Sequence, residues 1–271
     1  KRLLAEYSED VVKELHQRAS HWFANNGDAL SATAHALAAK DYEYAACLIA
    51  PQSQRWMRRG EVSTILKYLN QLPRDLVWNQ WELCLWSGWA FAVRGDLSPA
   101  VDWTNQLEAL ITPLMQDATL KENGPIPSEL QNAYAQVLAI RSIIARQNKD
   151  FVSAIELSEQ ALRLVPDEHR DLQTIISALL SSAVLEAGDF DQAESLLHST
   201  RQKAYRTDNP FIAFTLLLNE SALAVMRGQL QRAHDLNEEA LRLAQTGSME
   251  RLVFLPQLRL GRVNYFWNQL I

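Results

Sequence analysis

The chain has 271 residues, of which 48% are hydrophobic and 21% charged, with a formal net charge of −6. That composition excludes disordered, collagen-like and mucin-like chains. The acidic balance leaves no basic face to neutralise phosphates, the densest group being Arg55, Arg58 and Arg59, so direct contact with nucleic acid is not expected.

Taken in order, Tyr7 to Phe23 reads as a helix with an apolar stripe of Val11, Val12, Leu15, Ala19, Trp22 and Phe23. The stripe has two readings: docking on a preceding module, or packing on the next helix. From there a short phrase recurs: a turn residue, often followed by Asp, then an apolar residue, two variable positions and Ala. It appears as Lys40-Asp41-Tyr42-x-x-Ala45, Gly95-Asp96-Leu97-x-x-Ala100 and Lys149-Asp150-Phe151-x-x-Ala154. It returns as Gly188-Asp189-Phe190-x-x-Ala193 and Gly228-Gln229-Leu230-x-x-Ala233, with a weaker copy at Gly60-Glu61-Val62. The phrase has a physical meaning: the turn residue ends one helix, Asp caps the next, and Ala permits close helix approach.

This punctuation predicts helix pairs at 81–94 with 98–115, 128–147 with 151–165, 169–187 with 190–205, and 210–227 with 230–246. A last helix is expected to start near 251. The long step from Gly95 to Lys149 places an insertion loop over about 113–128, where Lys121 to Pro127 carries Asn, Gly and two prolines. Strand signals are nearly absent, so the fold class is all-α. There is no initiating Met, and Leu258 to Ile271 reads as a helix stopped part-way, so the natural protein is expected to continue in both directions.

Cys47 and Cys84 lie far apart inside apolar helical patterns and read as buried free thiols, which fits a reducing cytoplasm. No apolar run of about 18 residues predicts a membrane span, and Lys1 to Asp10 lacks the core of a signal peptide. The histidines, His16, His21, His35, His169, His198 and His234, have no metal-ligand spacing. No nucleophile motif and no G-x-x-x-x-G-K-[ST] phosphate loop occurs, so neither catalysis nor a cofactor is assigned to this chain. Five of the eight tryptophans, Trp78, Trp81, Trp86, Trp89 and Trp103, crowd into one stretch. They cannot all share one helical face, and they read either as inter-helix packing or as a stacking platform for a planar-faced ligand.

The run from Ala154 to Pro166, with Ala161 and Leu162, looks like the second helix of a tetratricopeptide repeat. The N-terminal third is more specific. Leu15-His16-Gln17-Arg18-Ala19-Ser20-His21-Trp22-Phe23 is followed by Ala34 to Tyr42, then Ala45-Ala46-Cys47-Leu48-Ile49, Arg59-Gly60-Glu61 and Leu69-Asn70-Gln71-Leu72-Pro73. This order resembles the linker of the MalT-like, large ATP-binding LuxR-family transcription activators. The resemblance implies residues 1–75 as a helical linker or arm after a nucleotide-binding module, and 76–271 as a tetratricopeptide-like sensor forming a right-handed superhelical solenoid. It also implies that ATP and DNA are handled outside this chain, and that the intact protein self-associates.

In such arrays the first helix of each pair lines the concave side. That register turns Glu82, Trp86 and Trp89 inward in one pair, then Gln136, Ile143, Arg146 and Gln147, then Ser182 and Glu186, then Thr215 and Met226. A mixed polar and aromatic groove suits a small molecule or a peptide. Two functions follow: a sensor whose groove binds a small-molecule inducer, or a scaffold whose groove takes a peptide or regulatory protein.

Overall fold

The computed structural model describes residues 8–122, 126–166, 169–204, 209–246, 249 and 252–267. Among the described residues there are fourteen α-helices and no strand. They are α1 Glu9–Asn25, α2 Ala29–Ala38, α3 Tyr42–Arg58, α4 Val62–Leu69, α5 Arg74–Trp78, α6 Trp81–Arg94 and α7 Leu97–Glu122. Then come α8 Ser128–Gln147, α9 Phe151–Leu164, α10 Arg170–Ala187, α11 Phe190–Ala204, α12 Pro210–Met226, α13 Leu230–Thr246 and α14 Phe254–Phe266.

The recurring phrase builds the hairpins as its chemistry dictates. Its first residue is left-handed in every copy, whether glycine (Gly95 at φ 86°, Gly188 at φ 94°) or lysine (Lys40 at φ 56°, Lys149 at φ 63°). Asp41, Asp150 and Asp189 accept the backbone N–H three residues on, at 3.3, 3.1 and 3.0 Å, which satisfies a donor the helix leaves unpaired. The closing alanines Ala45, Ala100, Ala154, Ala193 and Ala233 are fully buried. Gly27-Asp28-Ala29-x-x-Ala32 is a further copy, with Asp28 capping Ser31 and Ala32 fully buried.

Opposite each alanine lies a small residue twelve positions earlier: Ser20, Thr33, Gly88, Ser142, Ser181 or Ser221, all buried. Three of these serines donate across the hairpin to the alanine carbonyl: Ser20 to Ala32 at 2.7 Å, Ser142 to Ala154 at 2.9 Å and Ser221 to Ala233 at 3.3 Å. At Gly88 an added Cβ would lie 3.2 Å from Thr104 Oγ1 on α7, a contact tight enough that a side chain there would have to push Thr104 aside by a few tenths of an ångström. The first helices of the pairs are the buried ones; α10 alone buries Ile176, Leu180, Val184 and Leu185.

The first apolar core runs unbroken from Ala36 on α2 to Ile176 on α10, passing through Leu69, Leu72 and Val77. Residues on either side of position 75 therefore share one packed interior. The array also curls back on itself. Arg58, ending α3, pairs with Asp171 at the start of α10 at 2.5 Å. At Gly60 an added Cβ would meet Leu252 Cδ1 at 2.8 Å and Phe211 Cδ2 at 3.2 Å.

Two expectations differ from what is found. The loop predicted from residue 113 begins later, because α7 continues to Glu122 with Pro113 inside it. Proline removes one backbone hydrogen bond, but Pro113 lies on an exposed face where water can satisfy the freed carbonyl. Residues 123–125 of that predicted loop, and the predicted helix start at 251, lie outside the described residues. Cys84 is buried as expected, whereas Cys47 is exposed. On α3 it is Ala45, Ala46 and Ile49 that face the core, leaving Cys47 on the opposite side.

Candidate functional site

Helices α6, α8, α10 and α12 turn one stripe each toward a common groove of about 1130 Å³, and α3 lies along its edge. On α6 the stripe is Glu82, Trp86, Trp89 and Val93, the spacing of one helical face. On α8 it is Glu129, Asn132, Gln136, Ile143 and Arg146, with Gln147 beside them. Further round, α10 brings Asp171, Ile175 and Leu179, and α12 brings Phe211 and Thr215. From α3, Cys47, Ala50, Pro51, Gln54, Met57 and Arg58 form a single stripe across the same space.

Eight of the eleven residues that the register turns inward line the groove: Glu82, Trp86, Trp89, Gln136, Ile143, Arg146, Gln147 and Thr215. Ser182 does not. It is small enough for α12 to come close, and Asn219 Nδ2 donates to its hydroxyl at 2.7 Å, so it is sealed between the two helices. Glu186 stands just past the groove and holds Arg146 Nη1 at 2.6 Å. Met226, extrapolated from the same register, is exposed at the far end of α12. Register is not the cause, because Ser182 and Glu186 lie on the same face of α10 as Ile175 and Leu179, and Met226 on the same face of α12 as Thr215; the groove ends before it reaches them.

The tryptophan cluster divides. Trp78 and Trp103 pack edge to face against each other, with ring centroids 4.9 Å apart, and Arg74 covers Trp78. Trp81 and Trp86 are half-buried in the groove wall. Trp89 is 5% exposed, and its Nε1–H donates to Gln136 Oε1 at 3.1 Å. The packing reading thus holds for Trp78, Trp103 and Trp89, while Trp81 and Trp86 line the groove.

Charges along the groove nearly cancel: Glu82, Glu129 and Asp171 stand against Arg58, Arg146 and Arg170. Gln147 Nε2 donates to Ala92 O at 2.9 Å, locking α8 to α6. Two buried polar atoms in the wall have no partner, Asn132 Oδ1 and Arg146 Nε. Beyond Glu186, Arg259 donates to Leu218 O; burial lowers its guanidinium pKa, and the nearby Glu186 carboxylate works against that. Among the described residues no three His, Cys, Asp or Glu side chains gather as metal ligands. His16 and His35 instead join α1 to α2, Nδ1 to Nδ1 at 2.7 Å.

The α3 stripe and Asn132 escaped the sequence reading. For α3 the signal was present, as the six residues repeat at helical spacing, but the segment lies outside the pairs whose register was extrapolated. Asn132 sits one turn before Gln136 and falls on the same face.

Stacked helix hairpins around a concave groove define a helical-repeat solenoid. The family model described as the MalT-like TPR region matches residues 135–271, just over half of the chain, and the chain belongs to that family. HTH-type transcriptional regulator MalT of Vibrio campbellii (strain ATCC BAA-1116) is 23% identical over 262 residues, covering 95% of this chain and 28% of that protein. The protein of the same name from Yersinia pestis (strain Pestoides F) is 24% identical over 262 residues, covering 96% of this chain and 28% of its own length. The chain therefore spans under a third of these relatives. Among solved structures, a tetratricopeptide repeat protein from Parabacteroides merdae ATCC 43184 aligns over 91% of this chain and 99% of that one, with 11% identity and a TM-score of 0.46. Among the described residues no helix is long and apolar enough to cross a membrane.

Proposed function

We propose that this chain is the effector-sensing region of a helix-turn-helix transcriptional activator, non-catalytic, with the groove as its effector site. The carrying observation is the groove itself. Five helices converge on one concave space of about 1130 Å³ that holds aromatic faces, carboxamides and two unpartnered polar atoms. Sites of this size, apolar with a few convergent polar groups, are where small ligands bind.

Because α3 and the α6–α12 stripes share the groove, an effector touching both favours whichever arrangement of these elements it fits best. A ligand binding two arrangements equally would shift nothing, so the effector must discriminate between them. On this reading DNA binding belongs to another part of the protein, in keeping with relatives that are helix-turn-helix regulators, and so do the ATP binding and self-association that the linker resemblance implies.

A thermal-shift screen of the chain against a metabolite library tests this. A compound at about 100 times its Kd adds roughly 2.7 kcal/mol of stability, a readily measured rise in Tm. A hit lost in Trp86→Ala, with the melting of the free protein preserved, supports an effector groove. A library with no hit, together with a regulatory protein that binds and is displaced by groove substitutions, replaces the small molecule with a protein partner.

A further inference from the structure

Asn132 and Gln136 stand one turn apart on α8, which places their Cβ atoms about 5–6 Å from each other on the groove wall. Their carboxamides are not interchangeable. Trp89 Nε1–H donates to Gln136 Oε1, occupying the acceptor and turning the Gln136 amino group away as a donor. Trp89 is too deeply buried to follow a flipped amide, so that polarity is held. Next to it, Asn132 Oδ1 is a buried acceptor with no partner. The wall thus holds an unpaired acceptor one turn from an amide whose own acceptor is already taken, leaving its amino group as the donor it can still offer.

The complement is an N–H beside a C=O on a single edge. A single trans amide points these groups to opposite sides; an extended peptide can bring the N–H and C=O of one residue to the same wall, but only with its backbone free to turn and with no flat ring to stack. A cis amide inside a ring offers both on one edge. Trp86, one turn before Trp89 on the same α6 stripe, and Trp81 supply flat faces against which such a ring packs. The balanced charges of the lining suit an uncharged molecule.

We propose that the groove reads the cis-amide edge of a planar or near-planar ring, a lactam, imide or ureide, through Asn132 and Gln136; this rests on the groove being an effector site. Nucleobases and cyclic dipeptides are two sources of the same edge. The test titrates the whole chain with uracil, hypoxanthine and cyclo(Gly-Phe), each beside the counterpart in which every ring amide N–H is methylated, following tryptophan fluorescence and binding heat. At least one parent ring is expected to bind, with its N-methylated form weaker by about tenfold or more, because the donor to Asn132 is gone. The parent that binds identifies the source.

Asn132→Leu is expected to erase the preference for the parent ring, and Asn132→Asp, which keeps an acceptor, to retain it. If none of the three rings binds at millimolar concentration, or if parent and methylated forms bind alike, the amide-edge reading is overturned. A different metabolite that binds and is lost in Trp86→Ala would then leave the effector groove standing without it.

Discussion

Arg58 Nη2 and Asp171 Oδ2 meet at 2.5 Å although 113 residues separate them, joining the end of α3 to the start of α10. The two side chains are 43% and 33% exposed, so the pair itself is worth no more than about 1 kcal/mol. The adjacent contact at Gly60 is apolar and tight. Arg58→Ala is therefore expected to move the urea midpoint slightly. Gly60→Ala, with a Cβ 2.8 Å from Leu252 and a positive φ, is expected to cost about 2 kcal/mol or more. Equal shifts for the two variants would show that the closure is electrostatic.

The two thiols should separate by reagent. Cys47 is exposed in the groove edge and is expected to react promptly with a thiol probe, whereas Cys84 waits for unfolding. Burial, reinforced by the Glu82 charge, pushes the Cys84 thiol up to about 12 from 9.0. The unfolded chain ionises first, so this contribution to stability is present below about pH 9 and lost as pH climbs toward 12. Cys84→Ser, whose hydroxyl does not ionise there, should flatten that part of the pH–stability curve.

A third expectation concerns Glu220, whose side chain is 8% exposed and paired with Arg201 at 2.6 Å. Burial raises its carboxyl pKa despite the pull of Arg201 and Arg232. The protonated form is thus favoured in the fold: its contribution is full below the ordinary carboxylate range and declines as pH rises through the raised value. Glu220→Gln should match or exceed the wild type at pH 7, with the difference shrinking near pH 4. Arg201→Ala, which strands a buried carboxylate, should cost about 2 kcal/mol at neutral pH. Chemical denaturation at both pH values reads all four numbers.

Trp86 and Trp89 are three residues apart but should behave differently. Trp89→Ala removes a buried indole and its bond to Gln136, and a loss of about 3–5 kcal/mol is expected. Trp86→Ala, from a half-buried position, should leave melting largely intact while changing groove binding. Comparable destabilisation by both would assign Trp86 to the core.

The hairpin array was legible because its signals are local. Lys149, Asp150 and Ala154 each act within one turn, so the turn, the cap and the packing position can be read without knowing what lies across the interface. The groove was legible where helical register alone decides, as with Glu82, Gln136 and Thr215. It was not legible where distance in sequence gives no hint. Nothing near Ser182 announces that Asn219 will cover it, and nothing near Arg58 announces Asp171. Pro113 misled for a related reason: whether a proline breaks a helix depends on whether solvent reaches the freed carbonyl.

The small residue set twelve positions before each buried alanine has a mechanical meaning. Where it is Ser20, Ser142 or Ser221, its hydroxyl ties one helix of the hairpin to the backbone of the other, so such a hairpin moves as a stiff plate. Compliance is left to the side-chain seams between plates. Because the array closes on itself at Arg58–Asp171 and at Gly60, a rotation at one seam has to be taken up by the others, as in a closed linkage.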